Sequence, residues 1–370
     1  MKIPMLDLSE QYQSIKNEVL EQLDQVMSSS QLILGSNVKK IEIDVAKLSN
    51  VAYGIGVANG SDAIHIALQA AGVKAGDEVI TTAFTFFATG GAIARANATP
   101  VYVDIDPITF NIDPVQVEKA ITDKTKAIIA VHLYGQMADM KALRTIADKY
   151  NLVIIEDAAQ AIGAKQNGIN VGELGTAATY SFFPTKNLGA YGDAGMIVTN
   201  QEQLAEDARI IRVHGSKPKY YHKLLGYNSR LDELQAAILN VKLPHLAQWT
   251  EKRRVIADYY SAQLNEKVNK FVKTPIEVEG RFHVFHQYTL RVERRDELQE
   301  FLKKNGISTM IYYPVPLHLQ PVFEYLGYKE GNLPFTEKAS AEALSLPMFP
   351  ELKIEQQDYI INKIYEFYQI

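Results

Sequence analysis

Between Val51 and Val198, short apolar and β-branched runs alternate with stretches of helical period. The runs are Tyr53–Ala58, Glu78–Thr82, Thr99–Val103, Ala127–His132, Val153–Glu156, Thr179–Phe182 and Met196–Thr199. Between two of them, Asp139–Tyr150 sets Leu143, Ile146, Ala147 and Tyr150 at helical spacing, with Arg144, Asp148 and Lys149 on other faces. Strands that recur across helices need crossover connections. The pattern therefore predicts an α/β fold whose large domain holds a mostly parallel, seven-stranded sheet covered by helices on both faces.

Beyond Leu231 the texture changes. A long helical pattern runs to about Leu264 through LDELQAAIL and IADYYSAQL, with Pro244 as a kink or break. Next come an expected strand at Phe285–Val292, a helix at Arg294–Asn305, a strand at Ser308–Tyr313, the Pro-rich loop PVPLHLQP and two closing helices. This reads as two domains: residues 1–240 with the N-terminal segment, and a smaller C-terminal α/β domain of residues 241–370, linked by the long helix. Trp249 on that helix reads as a packing residue.

Composition narrows the function classes. The absence of cysteine excludes disulfides, catalytic thiols and thiolate-ligated metals, and fits a cytoplasmic protein. A net charge of −5 without a long basic tract argues against nucleic acid as a partner. No apolar run approaches the ~20 residues of a membrane span, and MKIPMLDLSEQY lacks the pattern of a signal peptide.

Several short segments can carry chemistry. In NGSDAIHIALQAAG, Gly60-Ser61-Asp62 opens a helix directly after a strand, with Ser61 or Asp62 as the expected cap. Free N–H groups and the helix dipole at such a start suit a phosphate, although the segment alone reads as an ordinary capped helix. The nearby GIGVANG falls one residue out of register with a dinucleotide fingerprint. LVIIEDAAQA delivers Glu156 and Asp157 at the carboxyl end of a buried strand, where ligands bind in open α/β sheets. Such an acid is as often structural as catalytic. Gln160 adds an amide nearby, but no further acid or histidine in the segment completes a metal site, so none is expected.

In SFFPTKNLGAYGDAG, Lys186 stands between an aromatic run and three glycines. Desolvation would lower its pKa and make it a nucleophile toward carbonyls, while a lysine snorkelling to the surface fits the same flanks. His283 and His286 in HVFH lie three apart, on opposite faces of a strand, which favours packing or a substrate contact over metal ligation.

In combination these parts are more specific. A phosphate cradle (Gly60, Ser61), an aromatic run (Phe84, Phe86, Phe87), an acid at a strand end and a candidate Schiff-base lysine occur in chain order. Pyridoxal phosphate needs each one: a lysine for its aldehyde, a carboxylate for its ring nitrogen, an aromatic on its face and donors for its phosphate.

At these residues the chain resembles the DegT-type sugar aminotransferases, pyridoxal-phosphate-dependent enzymes of fold type I. The likeness runs through IPMLDLSEQY, NGSDAIHIAL, VITTAFTFFAT, VYVDID, EDAAQA, SFFPTKNLGAYGDAG, RVHGSKPKYYHKLLGYNSRLDELQAAIL and YYPVPLHLQP. It implies Lys186 as the Schiff-base lysine and Asp157 as the partner of the pyridine nitrogen. Gln160 would bond the phenolic oxygen, Gly60, Ser61 and Ser181 would hold the phosphate, and Phe86 would stack on the ring. Asn228, in the GYN motif, would reach the phosphate of a neighbouring subunit, which implies a homodimer with active sites at the interface.

The resemblance further implies transfer of an amino group from L-glutamate to a nucleoside-diphosphate-linked keto sugar, with 3-keto sugars preferred to 4-keto sugars. Substrate-side candidates are Lys217, Lys219, Tyr220 and Tyr221 in VHGSKPKYYHK, with Tyr312, Tyr313 and His318 in the Pro-rich region. Three departures stand out: Ala194 where many relatives have glycine, Phe183 where many that aminate position 3 have tyrosine, and Tyr312 where many have histidine. The last two bear on the sugar rather than the cofactor. Relatives that dehydrate sugars replace the lysine by histidine, so Lys186 argues against that reaction. Two readings from other classes compete: a non-catalytic regulator that keeps the fold, and a nicotinamide-dependent oxidoreductase resting on GIGVANG.

Overall fold

The structure, a computed structural model, describes residues 1–369. Among these, a seven-stranded sheet is built from β1 (Tyr53–Val57), β2 (Glu78–Thr82), β3 (Thr99–Val103), β4 (Thr125–Val131), β5 (Val153–Asp157), β6 (Ala177–Ser181) and β7 (Gly195–Thr199). Their order is β1-β7-β6-β5-β4-β2-β3. The run from β3 to β6 pairs in parallel, and β7 lies antiparallel between β1 and β6. Each expected strand is present, with its ends shifted by no more than two residues.

Both faces of the sheet are buried, and strand alternation divides the residues between them. Ile128, Ala130, Ile154, Met196 and Val198 join one core cluster. Their neighbours Ala127, Ile129, Ile155 and Ile197 join another. The first cluster packs beneath α2 (Ser36–Leu48), which follows α1 (Ser9–Ser29), and beneath the helices Met140–Tyr150 and Glu233–Lys242. The second packs beneath α3 (Gly60–Ala70), α4 (Phe87–Arg95) and Glu202–Ile211. Buried Glu233 accepts from the N–H groups of Gly35, Asn37 and Val38 at 2.8, 2.5 and 3.2 Å, neutralising the N-terminus of α2.

Pro244 breaks the long helical pattern as expected. Glu233–Lys242 gives way to a 3-10 turn at Leu243–His245, and a second helix runs from Leu246 to Val268. Ile256, Tyr260 and Leu264 then enter a separate core with Leu290, Leu298, Leu302, Leu344 and Ile360. Ile3, assigned above with the first domain, is fully buried in this second core and bridges Ile307.

Two local expectations fail in this region. The strand expected at Phe285–Val292 forms only at Tyr288–Val292, because Phe285 takes a left-handed φ of 42°. The strand expected at Ser308–Tyr313 shrinks to a bridge between Met310 and Ser345. Ser308 N–H turns to the Ile3 carbonyl at 2.9 Å, and Pro314 and Pro316 follow without an N–H to extend the ladder. The partner strand is Ala343–Leu346, lying between the closing helices Pro334–Glu342 and Ile354–Gln369.

Candidate functional site

The carboxyl ends of β5 and β6 meet the N-terminus of α3. The cap of that helix is Asn59, not Ser61 or Asp62. Asn59 is the residue with extended backbone, φ −165°, and its side chain accepts from Asp62 N–H at 2.8 Å. The N–H groups of Gly60 and Ser61, which have no intrahelical partner, are left pointing out of the helix end. Close contact brings Ser181 to the same place. A Cβ on Gly60 would stand 2.6 Å from Ser181 Cβ, and one on Gly195 would stand 2.4 Å from the Asn59 carbonyl carbon.

The two acids of β5 separate by strand alternation. Glu156 is fully buried and accepts from His132 Nε2–H at 2.8 Å and from Gly172 and Gly175 N–H at 3.1 and 2.8 Å. Because His132 Nδ1 accepts from Ala138 N–H at 3.1 Å, its proton sits on Nε2, and this acid is a structural one. Asp157 faces α4 instead. Its Oδ2 accepts from Thr89 Oγ1 at 2.8 Å, and Thr89 is itself 3.0 Å from Thr85 Oγ1. Asp157 is 6% exposed, and no basic side chain forms an ion pair with it among the described residues.

Lys186 follows β6 in a tight turn. Its N–H donates to Phe183 O at 2.8 Å, and Ala190 N–H donates to Phe182 O at 2.8 Å. Protein packed around the amine pushes its pKa down to about 8, while the negative charge of Asp157 pulls the other way. Burial wins, as expected for an ammonium without a salt-bridge partner. His286, buried nearby, is pushed well below the ordinary histidine value by burial and then by the charges of Lys186 and Arg253, so it stays neutral.

Gln160 sits across the same opening. Its Oε1 accepts from Tyr134 N–H at 2.6 Å, and its Nε2 donates to Tyr313 Oη at 3.2 Å. Tyr134 Oη donates to the Tyr312 carbonyl. Phe86 caps α4, is 58% exposed, and lies 6.0 Å from the Tyr313 ring between centroids. Burial and the Asp157 charge hold the Tyr313 hydroxyl above its ordinary pKa. Gly60, Ser61, Asp157, Gln160, Ser181, Lys186, Phe86, Tyr312 and Tyr313 thus converge on one region.

Other sequence candidates lie elsewhere. His318 is buried at 2% exposure, bonded to Glu337 at 3.0 Å and packed edge-on against Tyr328, so it belongs to the core and not to an open substrate surface. Lys217, Lys219, Tyr220 and Tyr221 occupy an exposed hairpin closed by Lys217 N–H to Tyr221 O and Lys223 N–H to Gly215 O, at 2.9 and 2.8 Å. Gln69 ties that hairpin to the C-terminal half of α3, at Leu225 O, 3.2 Å. It therefore stands away from the N-terminal end of α3 in its own chain, with Lys217 paired to Glu206 and Lys219 over the Tyr220 ring. Asn228 is exposed beside Ser229, whose hydroxyl accepts from Ala58 N–H at 3.2 Å.

Thr89, Tyr134 and Asn187 were not evident from sequence, while His286, read there as a packing or substrate-contact residue, is buried. Asn187 Nδ2 donates to Val284 O at 3.0 Å, which turns its Oδ1 toward His286 Nδ1 at 3.2 Å. A buried pair of this kind, 99 positions apart, leaves no local signature.

The donor set fits pyridoxal phosphate. The depressed Lys186 amine suits its aldehyde, Asp157 a protonated ring nitrogen and the Gln160 amide its phenolic oxygen. The Gly60 cradle, which a side chain would fill, suits its phosphate.

Known proteins resemble the chain over nearly its whole length. The chain is 71% identical over 369 residues to a Geobacillus stearothermophilus protein named "Pleiotropic regulatory protein", covering 100% of this chain and 99% of the other. It is 45% identical to the UDP-N-acetyl-3-dehydro-alpha-D-glucosamine 3-aminotransferase of Acidithiobacillus ferrooxidans, over 96% and 95% of the two chains. The crystal structure of S. venezuelae DesV in complex with a ketimine intermediate superposes with a TM-score of 0.97 at 40% identity, over 100% and 99% of the chains. A family model matches residues 13–365, and the chain belongs to the DegT/DnrJ/EryC1/StrS aminotransferase family.

Proposed function

We propose that this protein is a pyridoxal-phosphate-dependent aminotransferase that moves an amino group from L-glutamate to a nucleoside-diphosphate-linked 3-keto sugar. The observation that carries this reading is the Lys186 amine, depressed to about 8 and set near Asp157 at the helix end of Gly60 and Ser61. The names of relatives support the sugar class and the 3-position. Phe183 and Tyr312 leave the 4-keto alternative to a substrate screen.

When bound, the cofactor supplies an aldehyde and an electron-withdrawing ring. Lys186 would offer its neutral amine to that aldehyde and, as general base and acid, would move a proton between the donor's α-carbon and the cofactor's C4′. Asp157, oriented by Thr89, keeps the proton on the ring nitrogen. Gly60 and Ser61 N–H and the Ser181 hydroxyl hold the phosphate, Gln160 holds the phenolic oxygen, and Phe86 covers the ring and keeps water from it. Asn228 reaches the phosphate held by a second copy of the chain, making the unit a homodimer. Two half-reactions sharing one site require ping-pong kinetics.

The name of the G. stearothermophilus relative favours a second reading, a regulator that keeps the fold without the chemistry. Absorbance separates the two. Purified protein supplied with pyridoxal phosphate should turn yellow, bleach on addition of L-glutamate, and show neither change as Lys186→Ala. A folded wild-type protein that takes up no colour would overturn the enzymatic reading.

A further inference from the structure

Lys242 is the least expected polar group in the interior. It closes the helix Glu233–Lys242, is 1% exposed, and has no carboxylate within ion-pair distance among the described residues. Its Nζ donates to Gly189 O at 2.6 Å and lies 4.5 Å from the centroid of the Tyr191 ring. Burial pushes its pKa down to about 8, so holding this cation here carries an energetic cost. An apolar side chain of the same length would fill the space without that cost.

What the cation gains is a fixed carbonyl in the turn that follows Lys186. Two helical turns earlier, on the same face of the same helix, Gln235 Oε1 accepts from Tyr191 N–H at 2.9 Å. A Cβ on Gly192 would stand 2.9 Å from Gln235 Nε2, so the turn lies directly on this side chain. One helix face thus grips the turn at a carbonyl and at an N–H two residues apart. Of the other contacts of the turn, Lys186 to Phe183 and Ala190 to Phe182 are internal to the β6–β7 connection, while Asn187 anchors its start to Val284 O and His286 at 3.0 and 3.2 Å. The internal contacts shape the turn; Asn187 fixes its start, and Lys242 and Gln235 fix its far side against the rest of the molecule.

We propose that Lys242 and Gln235 are positioning residues that clamp the Gly189–Tyr191 turn and so hold the Lys186 amine at its working position. This rests on the assignment of Lys186 made above. Misplacing a reacting group by about 1 Å can cost about a hundredfold in rate. The cation matters for direction as well as attraction: an ammonium on a fixed helix end accepts only one orientation of the Gly189 peptide.

Lys242→Met keeps length and volume and removes the donor. In the full-length protein with cofactor, the clamp predicts at least a tenfold fall in kcat, KM for L-glutamate within threefold of wild type, and a melting temperature unchanged or raised. It also predicts faster hydrogen–deuterium exchange at the Tyr191 amide, relative to amides of β5. A role in stability alone would lower the melting temperature and leave the kcat of the folded protein intact. Gln235→Leu, which frees the Tyr191 N–H directly, should reproduce both the kcat loss and the local exchange. It also serves as the test should Lys242→Met fail to fold. Wild-type kcat and unchanged Tyr191 exchange in a folded variant would overturn the clamp while leaving the aminotransferase assignment in place. A colourless, inactive wild type would overturn that assignment first, and the exchange readout on the same protein would still decide whether the clamp holds the turn.

Discussion

At Lys186, desolvation and the charge of Asp157 act in opposite directions, and the net result is an amine at about 8 against an ordinary 10.5. Only the neutral form attacks an aldehyde. The rate at which cofactor-free protein takes up pyridoxal phosphate should therefore climb with pH through about 8 and level off above it, where an ordinary lysine would still be climbing; stopped-flow absorbance between pH 6.5 and 10 reads this. The linkage has a definite sign. The folded pKa is lower than the unfolded one, so the cost of burying the ammonium is fully present below about pH 8. It is relieved as pH rises toward 10.5, and the protein without cofactor gains stability from this group across that window. Asp157, Gly60 and Ser61 were legible as candidates because each sits at the end of a strand or the start of a helix that periodicity reveals, and Lys186 because it stands between an aromatic run and three glycines. Thr89 was not, because its bond to Asp157 spans 68 positions and nothing in TFFATGG marks it.

At the scale of elements, α3, β6 and β7 meet at the proposed anion cradle because Gly60 and Gly195 allow approaches that a Cβ would block. Gly60→Ala would push a methyl group to 2.6 Å from Ser181 Cβ, at a place where backbone and a short side chain leave little to yield. The expected cost is about 1–3 kcal/mol in stability, read by thermal melting. Cofactor retention should fall at least tenfold, read by the yellow absorbance left after dialysis. If only the melting temperature moves, the Gly60 end of α3 is not the phosphate site. Helix and strand identities in this half of the chain follow from alternating periods. In the C-terminal half they do so less well: Ala343–Leu346 is only four residues, too short for its alternation to mark a strand, and it becomes one because Tyr288–Val292 lies alongside. Asn59, not Ser61, caps α3 because the incoming strand leaves Asn59 with extended backbone, a property of the connection rather than of the residue.

For the whole molecule, the proposed sites draw on two copies of the chain. The hairpin with Tyr220 and Tyr221, 79% and 71% exposed, and the exposed Phe86 and Phe183 are surfaces that a second copy would cover. Two dead variants should then rescue one another. Lys186→Ala and Asn228→Ala, each inactive or impaired alone, should regain activity after mixed refolding, because each heterodimer holds one site with both residues intact. Light scattering checks the dimer mass, and the absence of any regain would place Asn228 in its own chain's site or in none. Local pattern was sufficient for the α/β class, the seven strands of the large sheet, the break at Pro244 and the naming of lysine, acid and helix-start residues as candidates, since period and strand-end position are properties of neighbouring residues. It was not sufficient for the second core's claim on Ile3, the burial of His318 against Glu337, or the grip of Gln235 and Lys242 on the turn after Lys186. Those depend on the order in which strands and helices stack, which brings together groups 44 and 53 positions apart. Burial and hydrogen bonding act through space, and distance along the chain does not record them.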